Sequence, residues 1–206
     1  MKFSKSLATL ALIATLGLTA CSSNNPTAST PDVTPVGGNA ASAAPSSAPA
    51  SEGPAKSARG NIIKTVGQPA GMFDLKTKEP TVNFTITKIT VDPPCTGSYP
   101  QPATNGHFVV VDVVAETTEA LGKQTWPKFD ISAHNFKFVS ANGTTYNGSL
   151  SSGPSYGCLA DSEAFPMTGM GPAEKVSGRI ALDIPETTGV LVYKDQLNQL
   201  GWEWNF

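Results

Sequence analysis

Two segments constrain the fold more than any other feature, because their apolar residues alternate with a period of two. In residues 107–117, Val109, Val111, Val113 and Ala115 share one face, with Phe108, Val110, Asp112, Val114 and Glu116 on the other. In residues 176–184, Val176, Gly178, Ile180, Leu182 and Ile184 alternate with Ser177, Arg179, Ala181 and Asp183, and Pro185 ends the run. That period is the signature of a strand with one buried face. Val82, Phe84 and Ile86 set the same pattern, and Ile89 and Val91 resume it on shifted parity, which predicts a β-bulge near Thr87 or Lys88. Phe129 and Ile131 predict a short strand. Phe136 and Phe138 predict another, with Asn142-Gly143 as a tight hairpin turn before Thr144-Thr145-Tyr146. Residues 190–194 and the stripe Trp202, Trp204, Phe206 complete the set, and only residues 194–200 leave room for a helical turn. About seven short strands without a three-turn helix predict an all-β chain folded as an antiparallel β-sandwich. Val111, Val113, Ile180, Leu182 and Trp204 are the expected core on facing sheets.

The first twenty residues have a separate logic. Lys2 and Lys5 form a basic start, and residues 7–18 are an apolar run too short to span a bilayer but long enough for a signal segment. The run ends in Leu18-Thr19-Ala20-Cys21, a lipobox whose cysteine receives a diacylglyceryl thioether. Residues 1–20 therefore read as a cleaved lipoprotein signal, with Cys21 as the lipid attachment site. A diacyl or triacyl cysteine is a stable anchor, so the expected location is the cell membrane, lipid-anchored and facing the extracytoplasmic side. Residues 22–60 contain no aromatic residue and no Leu, Ile or Met, and they carry six prolines. Such a segment cannot offset its ordering entropy by burial. Residues 21–60 are expected to be the lipidated cysteine and a disordered Ser/Ala/Pro-rich linker, and residues 61–206 the folded domain.

Lys and Arg total 14 against 16 Asp and Glu, with no basic stripe. This balance argues against nucleic acid and leaves lipid as the link to the membrane. With Cys21 committed to lipid, Cys95 and Cys158 remain as an even pair in an oxidising compartment, and a disulfide between them is expected.

Chemistry-bearing motifs are weak. Gly153-Pro154-Ser155-Tyr156-Gly157 matches a nucleophile-elbow pattern, but both histidines, His107 and His134, precede Ser155, and no helix pattern follows it. A glycine-rich loop is the simpler reading. The two histidines lack a metal-ligand spacing. Asp161 with Glu163, or Asp112 with Glu116 and Glu119, lacks the alternating spacing of a calcium loop and reads as solvated strand edge. The sequons at Asn83, Asn142 and Asn147 read as a solvent-facing strand position and two turns. Trp202, Trp204 and Phe206 could stack a sugar, but period-two aromatics on a terminal strand fit a sandwich core better.

Several segments together carry a family resemblance: Asn105-Gly106-His107-Phe108-Val109-Val110-Val111-Asp112-Val113, Glu116-Thr117-Thr118, Ser155-Tyr156-Gly157-Cys158-Leu159, Gly171 through Asp183 with Gly189-Val190-Leu191-Val192-Tyr193, and Gly201-Trp202-Glu203-Trp204. With these the chain resembles the actinobacterial lipoproteins of the DUF4352 group, whose fold is the immunoglobulin-like sandwich of the MPT63 secreted antigen. The resemblance spans roughly residues 67–206 and implies fold and location. It supplies no catalytic residue and no ligand. The group usually has Asn where this chain has Glu116.

The expected function is a binding or interaction module without cofactor or catalysis, with an envelope or extracellular protein as the possible partner. An envelope spacer without a defined ligand and, behind it, an unrecognised enzyme are the alternatives. Residues 147–172 show neither strand nor helix pattern, and loops that long are usually functional or disordered. A bridge to Cys95 would pin this loop to residues 93–106. Together the two loops offer Tyr99, Tyr156, Leu159, Phe165, Met167 and Met170 as a candidate interaction surface, or as a cap on the end of the core.

Overall fold

The structure is a computed structural model and describes residues 53–195 and 200–206. The signal, Cys21, the linker up to residue 52 and most of the possible turn at 194–200 lie outside the described residues. Among the described residues there are eight strands: β1 Ile62–Lys64, β2 Pro69–Phe73, β3 Pro80–Val91, β4 His107–Thr117, β5 Phe136–Val139, β6 Lys175–Ile184, β7 Val190–Lys194 and β8 Gly201–Asn205, with one short α-helix, α1 Gly153–Cys158, and two 3-10 turns, Glu119–Lys123 and Ala133–Asn135. They form two four-stranded sheets, in the orders β1-β8-β7-β5 and β2-β3-β4-β6. The domain is an immunoglobulin-like β-sandwich. Every pairing is antiparallel except that of β1 with β8, which is parallel.

The alternation builds the core directly. Val109, Val111, Val113 and Ala115 of β4, Val82, Phe84 and Ile86 of β3, and Ile180, Leu182 and Ile184 of β6 are buried against Leu191, Tyr193, Trp202 and Trp204 of the opposite sheet. The parity change in β3 is a register shift between Ile86 and Lys88. The hairpin after β5 closes at Asn142-Gly143, where Gly143 takes φ 88° and its N–H donates to Ser140 O at 2.9 Å. That left-handed conformation costs a glycine little.

Three local features differ from expectation. Phe129 and Ile131 are buried, yet they form no strand; Phe129 makes one isolated bridge to Met170. Pro127 on one side and the Pro166–Gly169 turn on the other leave no further backbone to extend the ladder. β2 carries Pro69 and Gly71, which hide it from a strand pattern, but Pro69 stands at the first position of an edge strand, where no ladder donor is lost.

The third difference is the start of the domain. The composition shift lies at Asn61, but Ala55 O already accepts from Ile63 N–H at 2.9 Å, and Lys56 bridges Ile62. Arg59 then makes two hydrogen bonds to the Glu203 carboxylate at 2.9 and 3.1 Å, joined by Ser57 Oγ at 3.0 Å and Asn61 Nδ2 at 3.1 Å. These contacts are polar, so an apolar pattern cannot reveal them. Glu203 itself is buried on the outer side of β8, opposite Trp202 and Trp204. Burial alone would raise its carboxyl pKa, but the hydrogen bonds from Arg59, Asn61 and Ser57 outweigh that and hold it below the usual value. A depressed folded-state pKa means the clasp stabilises fully above the unfolded-state value. Its contribution is lost as pH falls through the folded-state value.

Candidate binding site

The cysteines meet as expected. Cys95 and Cys158 form a disulfide with Cα atoms 4.5 Å apart. Cys158 packs with Phe108, Val110, Leu159 and Ala181 in a second small apolar cluster on the outer face of β4 and β6. The segment read as a patternless loop holds α1. Ser152 caps it: Ser155 N–H donates to Ser152 Oγ at 3.1 Å, Ser152 N–H donates to Ser155 Oγ at 3.1 Å, and Pro154 sits in the first turn. The signal was in the sequence as this reciprocal cap, but six residues are too few for helical periodicity to register. Ser155 is buried, and its hydroxyl donates to Ser152 O at 2.9 Å, so the elbow-like motif serves as a helix cap.

Asp183, which the alternation places on the solvent side of β6, is fully buried. Its carboxylate accepts from Thr104 N–H and Asn105 N–H, both at 2.8 Å, and from Ser152 Oγ. One side chain thus fastens both loops to the sheet. Periodicity could not show this, because the covering layer comes from distant sequence.

The expected interaction surface divides. Leu159, Phe165 and Met170 are buried in the two apolar clusters, whereas Tyr99, Tyr156 and Met167 are exposed. For the first three the capping role holds. Phe165 is drawn in because its N–H donates to Arg179 O at 2.9 Å, and Gly178 leaves the space: a Cβ there would lie 2.6 Å from Phe165 Cα. Met170 is held by its bridge to Phe129. Tyr156 is tied through its hydroxyl, 2.7 Å from His134 Nε2 and 2.8 Å from Ser151 Oγ.

Three of the five acids in the calcium-like sets, Asp112, Glu116 and Glu163, hold cations of the chain. Arg179 reaches Glu163 at 2.8 Å and Asp112 at 3.1 Å, and Lys175 lies 3.5 Å from Glu116. His107 Nδ1 is 2.8 Å from Asp92 Oδ2, whose other oxygen accepts from Phe108 N–H.

A cleft of about 610 Å³ opens where β3 begins and β7 ends, so that both sheets contribute to it. Its floor is apolar: Met72, Val82, Leu121, Phe129 and Tyr193. Its walls carry Gln124, Trp126, Asp130, Ser132, His134 and Asn135. Trp126 is 62% exposed, the most accessible of the three tryptophans. The loop bearing it is fastened by Gln124, whose amide donates to Asp74 at 2.5 Å. Hydrogen bonds from Thr77 N–H, Gln124 and Lys76 N–H lower the Asp74 carboxyl to about 2. The next turn is fixed by Ser132 N–H and Oγ, both donating to Asn135 Oδ1 at 2.8 Å. Tyr193 donates to Asp130 O at 3.1 Å, and burial pushes its phenol far up. Desolvation raises the Asp130 carboxyl, against the pull of His134 and Lys128. A second, more polar basin of about 720 Å³ lies beside the first, and His134, Asn135 and Asp195 line both. Both volumes fall in the range of small-molecule sites, roughly 300–1,000 Å³. None of the expected site residues lines either basin.

No family model matches the chain, so the DUF4352 resemblance stands on the quoted segments alone, and no curated protein matches it. Among solved structures it is similar to MPT63, a secreted protein from Mycobacterium tuberculosis, with 14% identity, a TM-score of 0.45, and coverage of 71% of this chain and 98% of that one. The sandwich assignment rests on the strand pairing above. The likeness adds nothing about ligand or location.

Proposed function

We propose that this protein is a lipid-anchored extracytoplasmic lipoprotein of the DUF4352 type, whose β-sandwich binds a ligand in the Trp126 cleft. It acts as a binding module and not as an enzyme. The observation that carries this reading is Trp126, 62% exposed, standing at a cleft lined by residues of both sheets. Exposing such a ring without a partner forgoes burial worth about 2 kcal/mol or more, and rings of this kind recur where a ligand covers them. The anchor follows from the Leu18-Thr19-Ala20-Cys21 lipobox, and the Pro-rich segment after it provides reach away from the membrane.

Two measurements test the two halves. Replacing Cys21 with Ala is expected to leave a precursor that carries no lipid; labelling of the variant by a fatty-acid probe at the wild-type level would overturn the anchor. For the cleft, Trp126 is expected to dominate quenching of tryptophan fluorescence by acrylamide, since Trp202 and Trp204 are buried. Envelope extract should suppress that quenching. Unchanged quenching at saturating extract would favour the spacer instead.

A further inference from the structure

We infer that the occupant of this cleft is a chain of neutral pyranose sugars spanning both basins, an inference that rests on the cleft being a binding site. The chemistry of the walls selects the class. A pyranose presents a C–H face that packs on an indole and a rim of hydroxyls that need both donors and acceptors. Trp126 supplies the ring, the Asp130 carboxylate accepts, and Asn135 Nδ2 is left to donate because Asn135 Oδ1 is taken by Ser132. An acyl chain would match the floor but would cover Asp130 and Lys128 without offering either a hydrogen bond. A strongly anionic or cationic ligand is disfavoured because charges of both signs line each basin, Asp130 and Lys128 in the first, Lys137 and Lys194 in the second, with Asp195 shared. Continuity argues for a chain: the basins share His134, Asn135 and Asp195, so a single sugar would occupy part of one and leave its neighbour empty. The stacking role considered for the terminal aromatic stripe thus passes to Trp126, since Trp202 and Trp204 are fully covered.

The test uses the full chain carrying Cys21→Ser, with cellohexaose, mannohexaose, chitohexaose and dodecanoate as probes, by calorimetry and by acrylamide quenching. At least one hexaose should bind and shield Trp126, and its disaccharide should bind about tenfold or more weakly, because it reaches one basin only. Trp126→Ala and Asp130→Asn should each weaken the hexaose by about tenfold at an unchanged melting temperature, and Trp126→Phe should recover part of the loss. Asn147→Ala, in the second basin, should weaken the hexaose and not the disaccharide. Failure of all three hexaoses to bind, or binding that leaves Trp126 accessible, overturns the inference. If dodecanoate alone shields Trp126, the saccharide class falls and the cleft stands. If neither the probes nor envelope extract shields it, both fall together.

Discussion

Phe84→Ala is expected to remove about 3–5 kcal/mol of folding stability. Phe84 is 1% exposed, and its ring lies 5.3 Å from Trp202, 5.4 Å from Tyr193, 5.8 Å from Phe129 and 6.5 Å from Trp204. It stands on the inner face of β3, while Tyr193 and both tryptophans belong to the opposite sheet, so deletion opens a void at the junction of the layers. The surrounding rings are large and rigid and cannot collapse into that void, which puts the cost toward the upper end. Two edge-on ring contacts, to Tyr193 and Trp202, are lost with it, each worth about 0.5–1.5 kcal/mol beyond area burial. Small domains are stable by only about 5–15 kcal/mol, so the variant should be partly unfolded at growth temperature. Equilibrium urea unfolding measures this directly. A loss below about 1 kcal/mol would mean that the sheets do not meet through this ring.

Removing the disulfide by Cys95→Ser with Cys158→Ser is the second large effect. The cysteines are 63 positions apart, and closing a loop of that size is worth about 4 kcal/mol in the chain-entropy description. A second loss comes from placing a hydroxyl where Cys158 is fully buried with Phe108 and Val110. The effect also reaches function. Cys158 ends α1, α1 carries Tyr156, and the Tyr156 hydroxyl lies 2.7 Å from Nε2 of His134, which lines both basins. The serine variant should therefore show weaker ligand capture even at temperatures where it remains folded. Mass spectrometry of the non-reduced wild type should give a domain two hydrogens lighter than its reduced form. Free thiols at both positions, or equal stability of the double variant, would refute the bridge's role.

Much of this framework was legible from pattern alone, and the reasons for the failures are physical. β4 and β6 stand where the alternation placed them, because their inner faces are made largely of β-branched and aliphatic residues repeating every second position, and β7 stands where a strand was expected. The bulge in β3 was readable because inserting one residue shifts the parity of everything after it. β1 was not: it is three residues long and owes its existence to pairing with β8. Glu203 and Asp183 looked like solvent-side positions, yet both are buried under polar coverings contributed by segments far away in sequence. Three of the six residues expected on the interaction surface, Leu159, Phe165 and Met170, are buried for a related reason. Apolar residues in a loop can cap a core or face a partner, and only tertiary contact separates Met170 from Met167. Trp126 carried no signal at all in Gln124-Thr125-Trp126-Pro127-Lys128, since exposure of one ring on a turn leaves no periodicity.

The central claim is that ligand enters at Trp126, and its most direct measurement is an NMR titration that follows the three indole N–H signals while envelope extract or a binding hexaose is added. The account predicts that the Trp126 signal shifts in a saturable manner together with backbone signals of Asp130, His134 and Asn135, while those of Trp202 and Trp204, both buried, hold still. A saturable shift confined to Tyr99, Tyr156 or Met167, with the Trp126 indole unmoved, would contradict it.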